Sequence, residues 1–401
     1  MVINEKRALA YDTDVLWVKP IEGADNIELI GVLGWTCIAK KGEFHEGDAC
    51  VYFEIDSKLP IADWSAFMES KHYKVKTMKL GKFNVISQGL ALPFDAFDEE
   101  TQQKILTAID PNAEHTDLTE ILGVTYAVEE DNKRKGGPDP NAKYVSMKAR
   151  HRKFFSNKFV KKMMKHEWFR KFIFVFLGNK KKDNPKSVPA GFPYIHKTDE
   201  ERVENMPWVL GYPDPLIVTE KLDGTSCTYI LERKKHGKYE FYVSSRNVRQ
   251  LNPDQACYHE SNIYWELANK YHIEDYLRKY LEDNPDLDYV CIQGEGVGNV
   301  QGNPLKLRDN TLFIFNFIRS DVGRLPSTDG EKIVHEWGMY WVPILDTEFY
   351  MPTDMEEFKQ FATAKSVVNP NVLREGIVLR DPETDLSFKN VSREYLLKHG
   401  G

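Results

Sequence analysis

The stretch Ile217-Val218-Thr219-Glu220-Lys221-Leu222-Asp223-Gly224-Thr225-Ser226 decides how this chain is read. Its β-branched start is expected to be a buried strand that ends at Lys221; a short polar turn with glycine then re-enters an apolar run at Cys227. That pattern places one amine at the mouth of a strand, beside an acid and facing a turn rich in Gly, Ser and Thr. A lysine held there is placed to attack a phosphate, provided its pKa is lowered enough to expose the free amine. Lys-x-Asp-Gly is short enough to arise by chance, so the residues downstream carry the decision.

Ser245-Arg246-Asn247 follows one expected strand and Gln293-Gly294-Glu295-Gly296-Val297-Gly298 follows another. Phe313-Ile314-Phe315-Asn316 lies within a third, Glu375-Gly376-Ile377-Val378-Leu379 opens a fourth, and Ser387-Phe388-Lys389 lies in a fifth. Each charged residue falls at the end or on one face of a strand. Several strand ends converging on one cleft is how an active site is built.

Between these motifs the pattern mixes strands and helices without regular alternation. A hairpin should turn at 234–238, helices should cover 261–281, and strands 289–293, 311–317, 376–379 and 386–389. Thr353 with Glu356, and Thr198 with Glu201, have capping-box spacing, so a helix is expected at each. The fold class is α+β, with antiparallel sheets and flanking helices.

Upstream, residues 15–93 read as short alternating strands (16–18, 28–32, 35–39, 49–55 and 85–92), punctuated by Gly23, Gly34, Gly42, Gly47 and Gly81. That spacing suits a small OB-like barrel. Lys74, Lys76, Lys79 and Lys82 lie in one basic stretch of it, fit either to track a phosphate backbone or to guard an edge strand. A helix is expected near 102–109, and Lys133-Arg134-Lys135-Gly136-Gly137-Pro138-Asp139-Pro140-Asn141 marks a linker. From 143 to 186 there are fifteen Lys/Arg against two acids, interleaved with Phe155, Phe159, Met163 and Trp168. This reads as a basic amphipathic helical insertion that either docks on the body, holds nucleic acid or lies on an anionic surface. The domains are thus 1–132 (barrel with a short helical extension), 133–190 (linker and basic insertion) and 191–401.

A length of 401 residues is long for one core, and 41 % hydrophobic content with 12 % aromatics is enough for packed ones. The net charge of -7 over the whole chain gives no case for nucleic acid, so the local runs matter more than the sum. Five scattered cysteines (Cys37, Cys50, Cys227, Cys257, Cys291), with no pair at metal spacing, read as buried thiols in a reducing compartment. The charged start of the chain and the short apolar run 172–177 give neither signal peptide nor membrane anchor, so a cytoplasmic place and no membrane partner are expected, with a monomer as default.

The six motifs in this order resemble the covalent nucleotidyltransferases, the superfamily of ATP-dependent ligases and capping enzymes. Within it the chain looks most like the Deinococcus-type RNA ligases, which carry an N-terminal OB domain; Val51-Tyr52-Phe53-Glu54-Ile55-Asp56-Ser57, Ser87-Gln88-Gly89-Leu90 and Lys197-Thr198-Asp199-Glu200 carry that likeness. The basic stretch has no counterpart in it. The resemblance implies that Lys221 attacks the α-phosphorus of ATP to give a lysyl-AMP, with Gly224 in the nucleotide-binding turn. Asp223, Glu295 and Glu375 would hold Mg²⁺ or Mn²⁺, and Lys389 would lower the lysine pKa and neutralise phosphate charge. Arg246 would hold the ribose or the acceptor phosphate, Phe315 would stack on adenine, and Glu295 would also contact the ribose. Where many ligases place a second lysine two residues from the terminal one, Ser387 and Val391 stand here.

The expected partner is RNA with 5′-phosphate and 3′-hydroxyl ends, a nicked duplex being one form of it. DNA ligases and capping-type guanylyltransferases use the same lysine, but usually place the OB domain after the catalytic one, and only 390–401 follow Lys389. A non-catalytic nucleic-acid-binding protein on the same fold is the other class of reading; the full acidic set Asp223, Glu295 and Glu375 argues against it.

Overall fold

The computed structural model describes residues 1–4, 6–127, 160, 192, 194, 195, 199–250 and 262–399. The expected linker, the basic stretch apart from Val160, Cys257, Thr198 and both expected domain boundaries lie outside the described residues. The chain forms two compact units: Met1–Arg134 with Asp199–Leu222 and Val342–Gly401, and Lys135–Thr198 with Asp223–Trp341.

The first unit begins with a five-stranded antiparallel sheet in the order Leu90–Pro93, Ala49–Phe53, Ala10–Pro20, Ile27–Val32, Trp35–Lys40. It curls on itself: Gln88 N–H donates to Thr36 O at 2.8 Å and Ser87 Oγ accepts from Ile38 N–H at 3.1 Å, so the two ends meet. The expected strand 85–92 is therefore two, broken at Gly89, whose φ of 88° turns the chain. Alternation makes both faces apolar. Tyr11, Val15, Ile30, Trp35, Cys50 and Tyr52 fill the inside, while Val51 and Phe53 pack outward against Leu59, Trp64, Phe97 and Ile105. Asp98 caps the helix Glu99–Ala108 by accepting from Thr101 N–H. The four described cysteines are buried and free.

The same unit holds a second sheet, ordered Glu201–Arg202, Ser387–Val391, Gly376–Arg380, Leu216–Lys221, Ile344–Phe349. All neighbours are antiparallel except Glu201–Arg202, which runs parallel to Ser387–Val391. No helix begins at Glu201: the parallel pairing takes its backbone, and two 3₁₀ turns, Val203–Asn205 and Pro207–Val209, follow. The later helix, Met355–Phe361, is capped one residue past the expected position, because Asp354 rather than Thr353 accepts from Glu357 N–H.

The barrel and this sheet are bound by buried polar groups. Asn205 donates to Glu54 at 2.7 Å and to Glu201 at 2.8 Å, and accepts from Trp35 Nε1 at 2.7 Å. Gly34 N–H donates to Glu204 O at 2.7 Å, a closeness that a Cβ on Gly34 would not permit. Lys359, also buried, donates to Gly34 O. Leu396 of the terminal helix packs on the barrel core.

The second unit is a sheet ordered Tyr239–Ser245, Thr225–Arg233, Tyr289–Val297, Thr311–Arg319, Gly323–Arg324, all antiparallel, with Tyr340–Trp341 parallel to Thr311–Arg319. The expected helical region is two helices, Ile263–Lys270 and Ile273–Asp283, which bury Leu267, Ile273, Leu277 and Leu281. The hairpin does turn at Lys234, whose N–H donates to Lys238 O.

Candidate active site

The strand Leu216–Lys221 is buried until Lys221 because it is paired on both sides. Lys221 lies opposite Gly376 in register, so Glu375 arrives beside it, and Lys221 Nζ donates to Glu375 Oε2 at 2.7 Å. One strand further, Lys389 lies opposite Val378 and donates to Asp199 Oδ1 at 3.2 Å.

Burial lowers the Lys389 pKa to about 8; Asp199 opposes that, while the charges of Arg202, Lys221 and Arg7 push it further down. Arg202 pairs in register with Lys389, its guanidinium buried with Nε and one terminal nitrogen unbonded. Ser387 holds the place of a second lysine, and Arg202 brings a cation beside Lys389 instead. Such a gathering of cations around a paired lysine suits a polyphosphate anion.

In the second unit, Asp223 and Gly224 open the strand Thr225–Arg233. A Cβ on Gly224 would meet the carbonyl oxygen of Gly296 and Val297, so only glycine lets the turn lie this close. Ser226, Glu295 and Phe313 form one cross-strand row and share a face. Phe315 sits where the register slips: Ile314 pairs with Gly294 and Asn316 with Gln293, leaving Phe315 as the extra residue of a bulge. Arg246 is exposed, in a turn closed by Ser245 N–H to Val248 O at 2.9 Å.

All the acids singled out for a metal offer oxygen. Among the described residues no three His, Cys, Asp or Glu side chains gather into a cage. A divalent ion held by one or two carboxylates, with waters and phosphate oxygens filling its shell, is the habit of Mg²⁺ and Mn²⁺, and the donor chemistry of Asp223, Glu295 and Glu375 fits it.

Sequence reasoning passed over Asp199, Arg202 and Glu220 as site residues. Arg202 and Asp199 reach Lys389 only through the parallel pairing, which no local pattern announces.

Residues 9–94 match the model of an OB-fold domain, and residues 214–398 match the model of RNA ligases. This protein is an RNA ligase. None of the curated proteins matches it. Among solved structures the ligase is similar to Naegleria gruberi RNA ligase: a glutamate-to-alanine variant with ATP and Mn has 27 % identity and a TM-score of 0.71, covering 98 % of this chain and 100 % of that one. Another such variant with AMP and Mn has 26 % identity and a TM-score of 0.71, over 98 % and 99 %. The same enzyme with PPi has 27 % identity and a TM-score of 0.70, over 98 % and 99 %. Among the described residues no helix is long and apolar enough to cross a membrane.

Proposed function

We propose that this RNA ligase uses ATP to join a 5′-phosphate to a 3′-hydroxyl through Lys221. The neutral Lys221 amine attacks the α-phosphorus; a P–N bond forms and the bond to pyrophosphate breaks. The 5′-phosphate oxygen of the RNA then attacks that phosphorus and frees the lysine. Last, the 3′-hydroxyl oxygen attacks the 5′-phosphorus, and AMP leaves. The observation that carries this is the Lys221–Glu375 contact at 2.7 Å, with cationic Lys389 close by.

Glu375 Oε2 is placed to take the proton that Lys221 Nζ must lose. Lys389, with Arg202 beside it, stabilises negative charge on the phosphate. Phe315 supplies a flat face for adenine, Arg246 a bidentate grip on ribose or acceptor phosphate, and Glu295 a hydroxyl contact. Asp223, Glu295 and Glu375 would hold Mg²⁺ or Mn²⁺, which neutralises phosphate charge and favours the free amine when bound. The likeness to a ligase solved with ATP, AMP and PPi supports this reading.

The test is incubation with ATP labelled at the α-phosphate and Mg²⁺ or Mn²⁺, beside Lys221→Ala and a GTP lane. A labelled protein with ATP alone, absent in the variant, is expected. Label from GTP would move the case to capping chemistry, and label in the variant would remove Lys221 from the reaction.

A further inference from the structure

Glu220 precedes Lys221 and, by strand alternation, points to the opposite face. It is 1 % exposed. Its Oε2 accepts from Val367 N–H at 2.7 Å. Its Oε1 is buried without a hydrogen-bond partner among the described residues, and the Ser366 hydroxyl and the charge of Arg374 act on the carboxylate from nearby. Burial raises the Glu220 pKa, and these three groups oppose the rise. An acid this deep costs stability unless its partners repay it, so its place beneath the lysine strand calls for a use.

The partners share one segment. Ser366 N–H donates to Val372 O and Arg374 N–H to Ala364 O, closing 364–374 into a loop with Lys365 bridged to Leu373. Ser366 Oγ accepts from Val368 and Asn369 N–H, and Arg374 is tied to the carbonyl oxygens of Ala362 and Phe361. The residue after Arg374 is Glu375. One strand thus presents Lys221 on one face and, on the other, grips the loop that delivers the partner of Lys221.

We propose that Glu220 is the positioning residue of the Lys221–Glu375 pair: it clamps the Val367 amide under the lysine strand, so that the loop ends with the Glu375 carboxylate at Lys221 Nζ. Glu220 itself touches no reacting atom. The clamp rests on the reading of Lys221 as the AMP acceptor.

The experiment follows α-labelled adenylylation by the full chain, with Mg²⁺, across about pH 6 to 9 for wild type, E220A, E220Q and K221A. Loss of the clamp displaces Glu375, so E220A should label about a hundredfold more slowly. Its pH profile should also move, which a merely structural loss would not cause. E220Q keeps an oxygen for Val367 N–H and should recover most of the rate. A wild-type rate and profile in E220A overturns the proposal, as does an E220Q no better than E220A. If E220A does not fold, V367P removes the same amide donor from an exposed position; a wild-type rate there overturns it equally. Absence of label in the wild type sinks the Lys221 reading, and the clamp with it.

Discussion

Lys221 and Glu375 meet at 2.7 Å because Lys221 is in register with Gly376, one residue past the acid. The contact is set by strand pairing rather than by a flexible loop alone. Replacing Glu375 by Ala removes the acceptor that lies 2.7 Å from the lysine nitrogen. Adenylylation by E375A should fall by about 10²- to 10⁴-fold, the range for a positioned proton acceptor. Single-turnover labelling with ATP measures it; a loss below tenfold would leave Glu375 without that role.

Lys389 gives a pH signature whose sign is fixed. Its folded pKa, about 8, lies below the 10.5 of an ordinary lysine. Between those values the unfolded chain binds more protons, so stability rises with pH across that window and the burden of the buried ammonium is full below about 8. K389M carries no such charge. It should melt above the wild type below pH 8, and the gap should close toward pH 10.5. Thermal melts of both proteins across this range test it, and a gap independent of pH would refute it.

Asn205 joins the barrel to the catalytic sheet with both donors and its acceptor in use. N205A leaves buried Glu54 and Trp35 Nε1 short of partners. We expect a loss of about 2–4 kcal/mol in denaturant unfolding, from unpaired buried groups. W35F combined with N205A should cost less than the two changes summed, by about 0.5–3 kcal/mol. Strict additivity would show that the bond across these elements carries no coupling.

The legible part of this molecule was the part written locally. The run Ile217-Val218-Thr219 ending at Lys221 announces its strand, and Glu375-Gly376 and Ser387-Phe388-Lys389 announce theirs, because strand periodicity and the following turn lie in the same few residues. Two capping boxes misled for opposite reasons. At Glu201 a parallel pairing with Phe388 outweighed helix propensity, whereas at Thr353 a helix formed but Asp354 offered the carboxylate one residue later. Asn205 reaches Glu54 across a separation of 151 residues, and Lys389 reaches Asp199 across 190. Partners of that kind are products of packing and leave no spacing to read.

Glu356 should govern part of the acid limb. Burial pushes its carboxyl pKa up, but Arg393, bidentate at 2.7 Å, and Lys359 hold it down to about 2. A depressed acid contributes stability that is present above the ordinary carboxyl value of 4.5 and lost as pH falls through about 2. E356Q should therefore be less stable than wild type near neutrality and converge with it in strong acid. Melts at about pH 2 to 7 decide it: parallel curves would mean that the pair adds nothing.

Phe315 tests the nucleotide reading from the other unit. As the extra residue of a bulge it is half-buried, while Ile314 and Asn316 on either side are buried. A bulge re-aims the side chain it carries, which suits a ring meant to present its face rather than to fill a core. If adenine stacks there, F315A should raise the KM for ATP by about tenfold or more, since a base on an aromatic face contributes about 1–3 kcal/mol. F315W keeps a flat ring and should stay near wild type, and the melting point of F315A should fall little. Adenylylation at varied ATP separates KM from kcat. A large fall in melting point with KM unchanged would instead make Phe315 a packing residue and move adenine recognition elsewhere on the sheet.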